Sequence, residues 1–170
     1  MKNFLCLFVT LSLSVCLAGC SRPTERGNQF VQDYSEEYEV SPYGKEEELD
    51  SLTDLKITLN PKKDFDLKQV SFLIENNSDK DFQYSAAYYE IEAEQSGIWY
   101  QLRQLKTPAG NDETDCIIRS GERLTLKADI KRCYGELPAG HYRLIQQFAY
   151  FEHERDWDYK TFYVSCEFTI

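Results

Sequence analysis

The chain has 170 residues and a formal net charge of −10, from 29 acidic and 19 basic side chains. Binding to phosphate backbones requires clusters of Lys and Arg, so this acidic balance argues against nucleic acid as a partner. Aromatic residues make up 14 % of the sequence, with 12 Tyr and 10 Phe, and this composition favours β-sheet over a helical bundle.

The first twenty residues have the pattern of a secretory signal. Lys2 precedes an apolar run from Phe4 to Leu17, which is shorter than the about 20 apolar residues that a membrane-spanning helix needs. The run ends in Leu17-Ala18-Gly19-Cys20, which resembles the lipobox of lipoprotein signal peptidase. We therefore expect a signal peptide over residues 1–19, cleavage before Cys20, and lipid on the Cys20 sulfur.

Lipid on Cys20 would place the protein at the extracytoplasmic face of a membrane. Each buried methylene contributes about 0.8 kcal/mol, and two acyl chains hold a protein firmly where one holds it weakly. Ser21 is compatible with the outer membrane in a host that has one. An ordinary secretory signal with a coincidental cysteine, and an uncleaved anchor, are the alternatives.

Residues 20–53 are predicted to be an acidic tether between the lipid and the folded domain. The segment contains Glu36-Glu37 and Glu46-Glu47-Glu48 but few aliphatic residues, so it has little apolar surface to offset its ordering entropy. Tyr34, Tyr38 and Tyr43 leave a second interpretation open. On that interpretation, residues 33–43 dock on the domain as an extra strand.

From Asp54 onward, apolar and polar residues alternate with the period of a β-strand. Seven or eight short strands separated by turn signals predict an all-β protein with a β-sandwich fold over residues 54–170. The predicted strands are Leu55–Leu59, Val70–Ile74, Phe82–Glu94, Ile98–Leu102, Cys116–Ile118, Leu124–Ile130, Tyr142–Phe151 and Phe162–Ile170.

A tyrosine follows a Gly/Pro corner in Pro138-Ala139-Gly140-His141-Tyr142. In Greek-key sandwiches, a tyrosine at this place packs in the core and hydrogen-bonds to backbone a few residues upstream. We predict this role, a tyrosine corner, for Tyr142. We also expect Trp99 in the core.

Several motifs occur along the chain in a fixed order. They are Ile74-Glu75-Asn76-Asn77-Ser78, Gly97-Ile98-Trp99-Tyr100, Ser120-Gly121-Glu122, Pro138-Ala139-Gly140-His141-Tyr142-Arg143 and Phe168-Thr169-Ile170. This order resembles the bacterial immunoglobulin-like domain of small lipoproteins, from whose pattern the chain departs by Ser120, where proline is usual. The resemblance covers residues 54–170 and implies an immunoglobulin-like Greek-key β-sandwich without established catalytic residues.

Three cysteines remain after the predicted cleavage, in a compartment where disulfides persist. Cys116 and Cys133 would close a short loop, so we expect a disulfide between them. Cys166 falls on an alternating apolar face and is expected to be a buried thiol. Other pairings stay open, and no C-x-x-C motif indicates a redox function.

No motif of the sequence indicates an enzyme or a cofactor. We found no nucleophile elbow, phosphate-binding loop or zinc-protease motif. His141 lies within the corner motif, where a side chain more often faces solvent, and His153 lies in the loop of the last hairpin. The protein is therefore predicted to be non-catalytic.

The loop of the last hairpin is the candidate binding surface. Trp157 is a possible aromatic anchor there, with His153, Asp156 and Asp158 beside it. Carboxylates of this loop could also face those of Asp112, Glu113 and Asp115 and bind calcium. Because Arg155 would oppose a cation and no calcium-loop spacing is present, a solvated acidic hairpin is preferred, and no metal site is predicted.

Two functional classes follow from these features. The first, which we prefer, is a membrane-anchored interaction module for an unidentified surface protein or glycan. The second is a structural accessory subunit of an envelope assembly or transporter, which would use sheet edges instead of loops.

Overall fold

The computed structural model of the protein describes residues 32–43, 49–60, 66–106, 115–152 and 159–170, all within the unit Gln32–Ile170. The elements are, in chain order, α1 Tyr34–Glu37, β1 Leu55–Leu59, β2 Val70–Asn76, β3 Phe82–Ser85, β4 Glu90–Gln95, β5 Ile98–Gln101, β6 Asp115–Ile118, β7 Arg123–Ala128, α2 Ile130–Tyr134, β8 His141–Tyr150 and β9 Lys160–Thr169.

The strands form two antiparallel sheets. The smaller sheet has the order β1-β2-β7. In the larger sheet, β9 pairs with β8 along its whole length, while β4 and β3 follow one another along the other edge of β8. Strand β5 lies outside β4, and β6 lies outside β3. This arrangement confirms the predicted immunoglobulin-like β-sandwich.

The third predicted strand, Phe82–Glu94, is two strands in the structure. Strand β4 pairs with residues 141–145 of β8, whereas β3 pairs with Ala149 and Phe148. The residues between β3 and β4 leave the sheet. This break raises the number of described strands to nine.

The core lies between the inner faces of the two sheets. Phe72 of β2 meets Phe168 of β9 with ring centroids 6.0 Å apart. Phe82 of β3 packs edge-on against Phe148 of β8 at 6.5 Å. Offset and edge-to-face aromatic pairs of this kind stabilise a core beyond their buried area.

Helix α2 covers one end of the core, at the corner before β8. The sequence analysis did not predict this helix. Asp129 caps it, since its carboxylate accepts a hydrogen bond from the amide of Arg132 at 3.0 Å. The helix buries Ile130 and Cys133, and Tyr134 donates to the carbonyl of Tyr89 at 2.7 Å. Its single turn is too short for sequence periodicity to reveal.

Tyr142 has the hydrogen bond that the corner prediction requires. Its hydroxyl donates to the carbonyl of Pro138, four residues upstream, at 2.7 Å. Its ring is buried and stacks on Phe168 at 5.8 Å. Gly140 lies so close that a Cβ there would come within 3.2 Å of the Tyr142 ring, which explains the glycine.

Trp99 does not lie in the core, so that prediction is wrong. The tight turn at Ser96 and Gly97, both with positive φ, fixes the register of β5 against β4. Tyr100 consequently faces Ala93 on the inner side, while Trp99 faces Glu94 on the outer side.

The expected disulfide between Cys116 and Cys133 is also wrong, because both residues are thiols in the structure. Each lies beside a different tyrosine: Cys116 is opposite Tyr84 on the neighbouring strand, and Cys133 is beside the Tyr89 hydroxyl. The predicted burial of Cys166 is confirmed, and burial raises the pKa of its thiol to about 11.

Residues 32–43 and 49–50 pack against the sandwich, and we call them the N-terminal strap. The preferred interpretation of residues 20–53 as a free tether is wrong for these residues. The docking alternative, made for residues 33–43 as an extra strand, agrees with the antiparallel bridge between Val40 and Tyr100. Tyr34 is buried in the core and forms part of α1. Because a buried aromatic ring removes a large apolar area from water, Tyr34 offsets the ordering entropy of the polar residues around it.

None of the helices in the described ranges is long and apolar enough to span a membrane. The predicted signal peptide and Cys20 lie outside those ranges.

Candidate functional site

The outer face of the larger sheet carries the cavities of interest. Alternation along β8 directs Tyr142, Leu144 and Phe148 into the core. The residues between them, including Arg143 and Gln147, belong to the opposite face. This outer face is therefore the surface that the sandwich leaves for contacts with other groups.

The N-terminal strap covers one half of that face. Near β5, the amide of Ser41 donates to the carbonyl of Trp99 at 2.8 Å, so this part of the strap extends the sheet as an edge. Near β9, the amide of Asp50 donates to the carbonyl of Tyr163 at 2.8 Å. Between these two edges, the ring of Tyr43 packs on that of Tyr163 with centroids 4.8 Å apart.

The strap is also attached to the tyrosine corner. The hydroxyl groups of Tyr34 and Tyr142 lie 2.9 Å apart. Because Tyr142 gives its only hydroxyl proton to Pro138, Tyr34 is the donor in this pair. Burial raises the pKa of Tyr142, and the Tyr34 hydroxyl adds to that rise.

A cavity of about 730 Å³ lies between the strap and the sheet, and we call it the strap cavity. Arg143 is its central cation and is buried. The Nε and Nη2 atoms of Arg143 donate to Glu92 Oε2 at 2.8 and 2.6 Å. Nη2 also donates to Ser41 Oγ at 3.1 Å, and the guanidinium lies 4.4 Å from the centre of the Trp99 ring.

The acidic groups of the strap cavity are paired as well. The Asp50 carboxylate accepts hydrogen bonds from the amide and the hydroxyl of Ser165, at 2.7 and 2.5 Å. Glu167 lies 3.0 Å from Nε2 of His141, whose ring packs against Trp99. The contacts of Arg143 with Ser41 and of Asp50 with Ser165 therefore join the strap to the sheet, whereas the pair of Glu167 and His141 lies within the sheet.

A second cavity, of about 350 Å³, lies on the half of the face that the described strap residues do not line. We call it the hairpin pocket, because Phe151 and Tyr159 at the ends of β8 and β9 contribute to it. The described residues that line it have amide, hydroxyl and aromatic side chains, and none of these described residues is charged. The lining residues are Gln83, Tyr84, Ser85, Tyr88, Gln146, Gln147, Ala149, Phe151 and Tyr159.

Gln146 is among the residues that line the hairpin pocket, but its side chain belongs to the core face of β8, with those of Leu144 and Phe148. It is fully buried, and its Nε2 donates to the carbonyls of Ser85 and Gln147 at 3.1 and 3.2 Å. These two acceptors fix which end of the amide is nitrogen. Its Oε1 is buried and receives no hydrogen bond from the part of the chain that the structure describes.

The hydroxyl groups of Tyr84 and Tyr88 are protonated at physiological pH. Burial raises the pKa of Tyr88 to about 12, with a further contribution from Glu90, which accepts from the Tyr88 hydroxyl at 3.0 Å. Burial likewise raises the pKa of Tyr84 to about 12. Tyr88 is nevertheless 45 % exposed and Tyr159 50 % exposed, so both rings are accessible from solvent.

The residues predicted for binding, Trp157, His153, Asp156 and Asp158, lie outside the described residues. The hairpin pocket adjoins both ends of that loop, at Phe151 and Tyr159. Sequence reasoning missed Tyr88 and Gln146 themselves. The sequence did carry a signal for Gln146, because the pair Gln146-Gln147 places two amide side chains in an otherwise apolar strand.

The calcium hypothesis receives no support from the described ranges, which contain no cluster of three His, Cys, Asp or Glu able to hold a metal ion. Asp112 and Glu113 are outside those ranges, and so is the side chain of Asp115.

Comparison with known proteins identifies the family. The bacterial Ig-like domain matches residues 51–168, which is more than half of the chain and includes all nine strands apart from the last residue of β9. No curated protein and no solved structure matches the chain significantly. The sandwich topology, the tyrosine corner and this match agree, and the chain belongs to the bacterial Ig-like domain family.

Proposed function

We propose that the protein is a lipid-anchored extracytoplasmic lipoprotein whose Ig-like domain is a non-catalytic interaction module. The observation that carries the proposal is the lipobox Leu17-Ala18-Gly19-Cys20 placed directly before a domain that begins at Gln32. Ig-like domains are typically non-catalytic, which agrees with the absence of enzyme motifs from the sequence.

The docked strap limits how far the domain extends from the membrane. If Cys20 carries the lipid, only the eleven residues 21–31 lie between it and Gln32, so twelve Cα–Cα steps join the two. A fully extended chain of that length spans at most about 40 Å. The module would therefore act close to the membrane surface. A free tether over all of residues 20–53 would have allowed it to act much further out.

The alternative, a structural accessory subunit of an envelope assembly, is favoured by one feature. Strand β6 is an edge strand, and Ile117 on it is an exposed large apolar residue. Exposed edge strands are templates for pairing with another chain. A pull-down from solubilised membranes distinguishes the two, because a stable envelope complex lost on Ile117→Lys supports the accessory role.

Substitution of the lipobox cysteine tests the anchor. Cells expressing the wild type, Cys20→Ala and Cys16→Ala are grown with an alkyne-bearing fatty acid, and the protein is examined by intact mass and detergent phase partitioning. We expect the label, and partitioning into detergent, in the wild type and in Cys16→Ala, and neither in Cys20→Ala. Label that persists in Cys20→Ala, or an unlabelled wild type, would overturn the lipoprotein proposal.

A further inference from the structure

We infer that the N-terminal strap is a releasable segment, docked on the sheet when salt screens its charge and detached as the ionic strength falls. This inference deepens the proposed role by adding a change in the reach of the domain, and it rests on that role for the lipid at Cys20. Its grounds are the separate place of the strap in the fold, its shallow burial and the like charges of the two surfaces.

The sandwich is complete without the strap. The match to the bacterial Ig-like family begins at Ser51, directly after the strap, and all nine strands follow that residue. The strap reaches the edges of the larger sheet at Trp99, through the amide of Ser41, and at Tyr163, through the amide of Asp50. Loss of these contacts leaves the pairings between the nine strands in place, so the strap can detach while the sandwich stays folded.

The strap is buried at only a few of its residues. Three of its fourteen described residues are buried, namely Tyr34, Ser41 and Leu49. The others are half-buried or exposed, and the side chain of Val40 is 61 % exposed although its backbone pairs with β5. Few buried apolar side chains and backbone hydrogen bonds close to solvent are typical of segments that open locally.

The strap and the face beneath it carry charge of the same sign. The described strap residues include five acids and no base, which gives a formal charge of −5. These acids are Asp33, Glu36, Glu37, Glu39 and Asp50. The outer sides of β4, β8 and β9 carry four carboxylates and the guanidinium of Arg143, a formal charge of −3 with His141 neutral. The four carboxylates are those of Glu90, Glu92, Glu94 and Glu167.

No attractive ion pair offsets this repulsion among the described residues. Every ion pair found there joins two residues of the sandwich, and none includes an acid of the strap. The hydrogen bonds of Ser41 with Arg143 and of Asp50 with Ser165 each have a neutral partner. Salt therefore weakens a repulsion between strap and sheet and favours docking, since the Debye length falls from about 30 Å at 0.01 M salt to about 3 Å at 1 M.

Release of the strap would change how far the lipid-anchored domain extends from the membrane. With the strap docked, the twelve steps from Cys20 to Gln32 span at most about 40 Å. With the strap detached, the flexible segment continues to Ser51, and its thirty-one steps span at most about 110 Å. The same chain would thus act near the membrane at high ionic strength and further out at low ionic strength.

Hydrogen exchange at two salt concentrations tests the inference. The full-length protein, solubilised in a non-ionic detergent, is exchanged at constant pH in about 10 mM and about 500 mM NaCl, and a peptide of residues 32–50 corrects for the effect of salt on intrinsic exchange. The informative amides are those of Ser41 and Asp50, which donate to sheet carbonyls. We expect their protection to rise about tenfold with salt, while amides in the paired centre of β8 and β9 change by less than about twofold.

Charge variants separate the electrostatic contribution from the other contacts of the strap. Glu36→Gln/Glu39→Gln removes two exposed strap charges and should reduce the response to salt to about threefold or less. The matched control is Asp54→Asn/Asp79→Asn, which makes the same change in net charge at two exposed residues outside the strap and should keep most of the response.

Tyr43→Ala weakens docking without a change in charge. It removes the ring that packs on Tyr163 and the hydrogen bond to Glu90. Strap protection should therefore fall at both salt concentrations, while the ratio between the two stays close to that of the wild type.

The results to be expected if the strap is a permanent part of the fold are different. Strap protection that is constant, that falls with salt, or that rises only as much as protection in β8 and β9 would overturn the inference. A full wild-type response in Glu36→Gln/Glu39→Gln would do the same. Because unlipidated protein can be exchanged in the same way, a failed lipid anchor removes only the change in reach, and the two failures are distinguishable.

Discussion

The strap cavity and the hairpin pocket lie on the same outer face of one sheet but differ in how far their side chains are covered. In the strap cavity, Arg143 is paired with Glu92 and Ser41 and covered by Trp99. In the hairpin pocket, the rings of Tyr88 and Tyr159 are about half exposed. The covered half therefore buries an ion pair that contributes to stability, and the open half presents aromatic rings to solvent.

Glu90 of β4 joins the two regions. Its carboxylate accepts a hydrogen bond from Tyr43 of the strap at 3.3 Å and from Tyr88 of the hairpin pocket at 3.0 Å. Because Tyr43 and Tyr88 donate to the same carboxylate, docking of the strap is coupled to the position of the Tyr88 ring. A change of pH acts on both regions at once, whereas single substitutions act on one region at a time.

Alkaline pH is expected to have the largest effect, because it acts on both regions. Burial raises the pKa of Tyr43 and Tyr142 on the strap side, and that of Tyr88 in the pocket to about 12. An unfolded tyrosine ionises near pH 10. The stability due to these groups is therefore fully present below about pH 10 and is lost as the pH rises through their folded pKa values.

Absorbance at 295 nm and circular dichroism followed together from pH 8 to pH 13 check this expectation. The half-exposed Tyr88 should ionise before Tyr142, whose ionisation should coincide with loss of the β-sheet signal. The Tyr88→Phe and Tyr142→Phe variants identify the two contributions. Ionisation of Tyr142 near pH 10 in the folded protein would contradict the structure.

Among single substitutions on this face, Arg143→Met is expected to be the most destabilising. It leaves the Glu92 carboxylate buried without its cation, and removal of one partner from a buried ion pair costs about 3–5 kcal/mol in the free energy of unfolding. Urea denaturation of the purified protein measures the change.

The matched control is Arg123→Met, which breaks the pair with Glu75. The side chain of Arg123 is 68 % exposed, so this loss should not exceed about 1 kcal/mol. The double variant Arg143→Met/Glu92→Leu should recover much of the stability, since both charges are then absent. Equal losses for the two single variants would show that the strap cavity is more hydrated than its geometry indicates.

Tyr142→Phe is expected to cost about 1 kcal/mol, the net contribution of a typical hydrogen bond. The substitution removes the bond to Pro138 and the contact with the Tyr34 hydroxyl. Tyr34→Phe removes only the second of these and should cost less. If both variants unfold at the wild-type urea concentration, the corner does not hold the strap.

The fold was largely predictable from the sequence, whereas the position of the strap was not. Alternation from Leu55 onward and the Gly/Pro corner before Tyr142 are local patterns with a direct structural meaning. The strap differs because its few anchoring residues, such as Tyr34 and Ser41, are separated by acidic residues. Their burial depends on partners that are distant in sequence, including Trp99 and Tyr142.

The errors at Trp99 and at Cys116 have the same origin. A tryptophan beside a tyrosine does not reveal which of the two faces inward, because the turn at Ser96 and Gly97 sets that register. Spacing alone likewise could not show that Cys116 and Cys133 lie against different tyrosines. The hairpin pocket was missed because its residues come from two strands that are distant in sequence, β3 and β8, and from the segments next to the strands.

Among these substitutions, Gln146→Met is expected to change the free energy of unfolding least. The substitution gives up the hydrogen bonds to Ser85 and Gln147, but it also removes the unpaired Oε1 and adds apolar surface to a buried position. These contributions nearly cancel, so the free energy of unfolding should change by no more than about 1 kcal/mol, measured in urea beside Arg143→Met. A loss of stability as large as that of Arg143→Met would show that the hydrogen bonds of Gln146 to Ser85 and Gln147 hold this part of the sheet together.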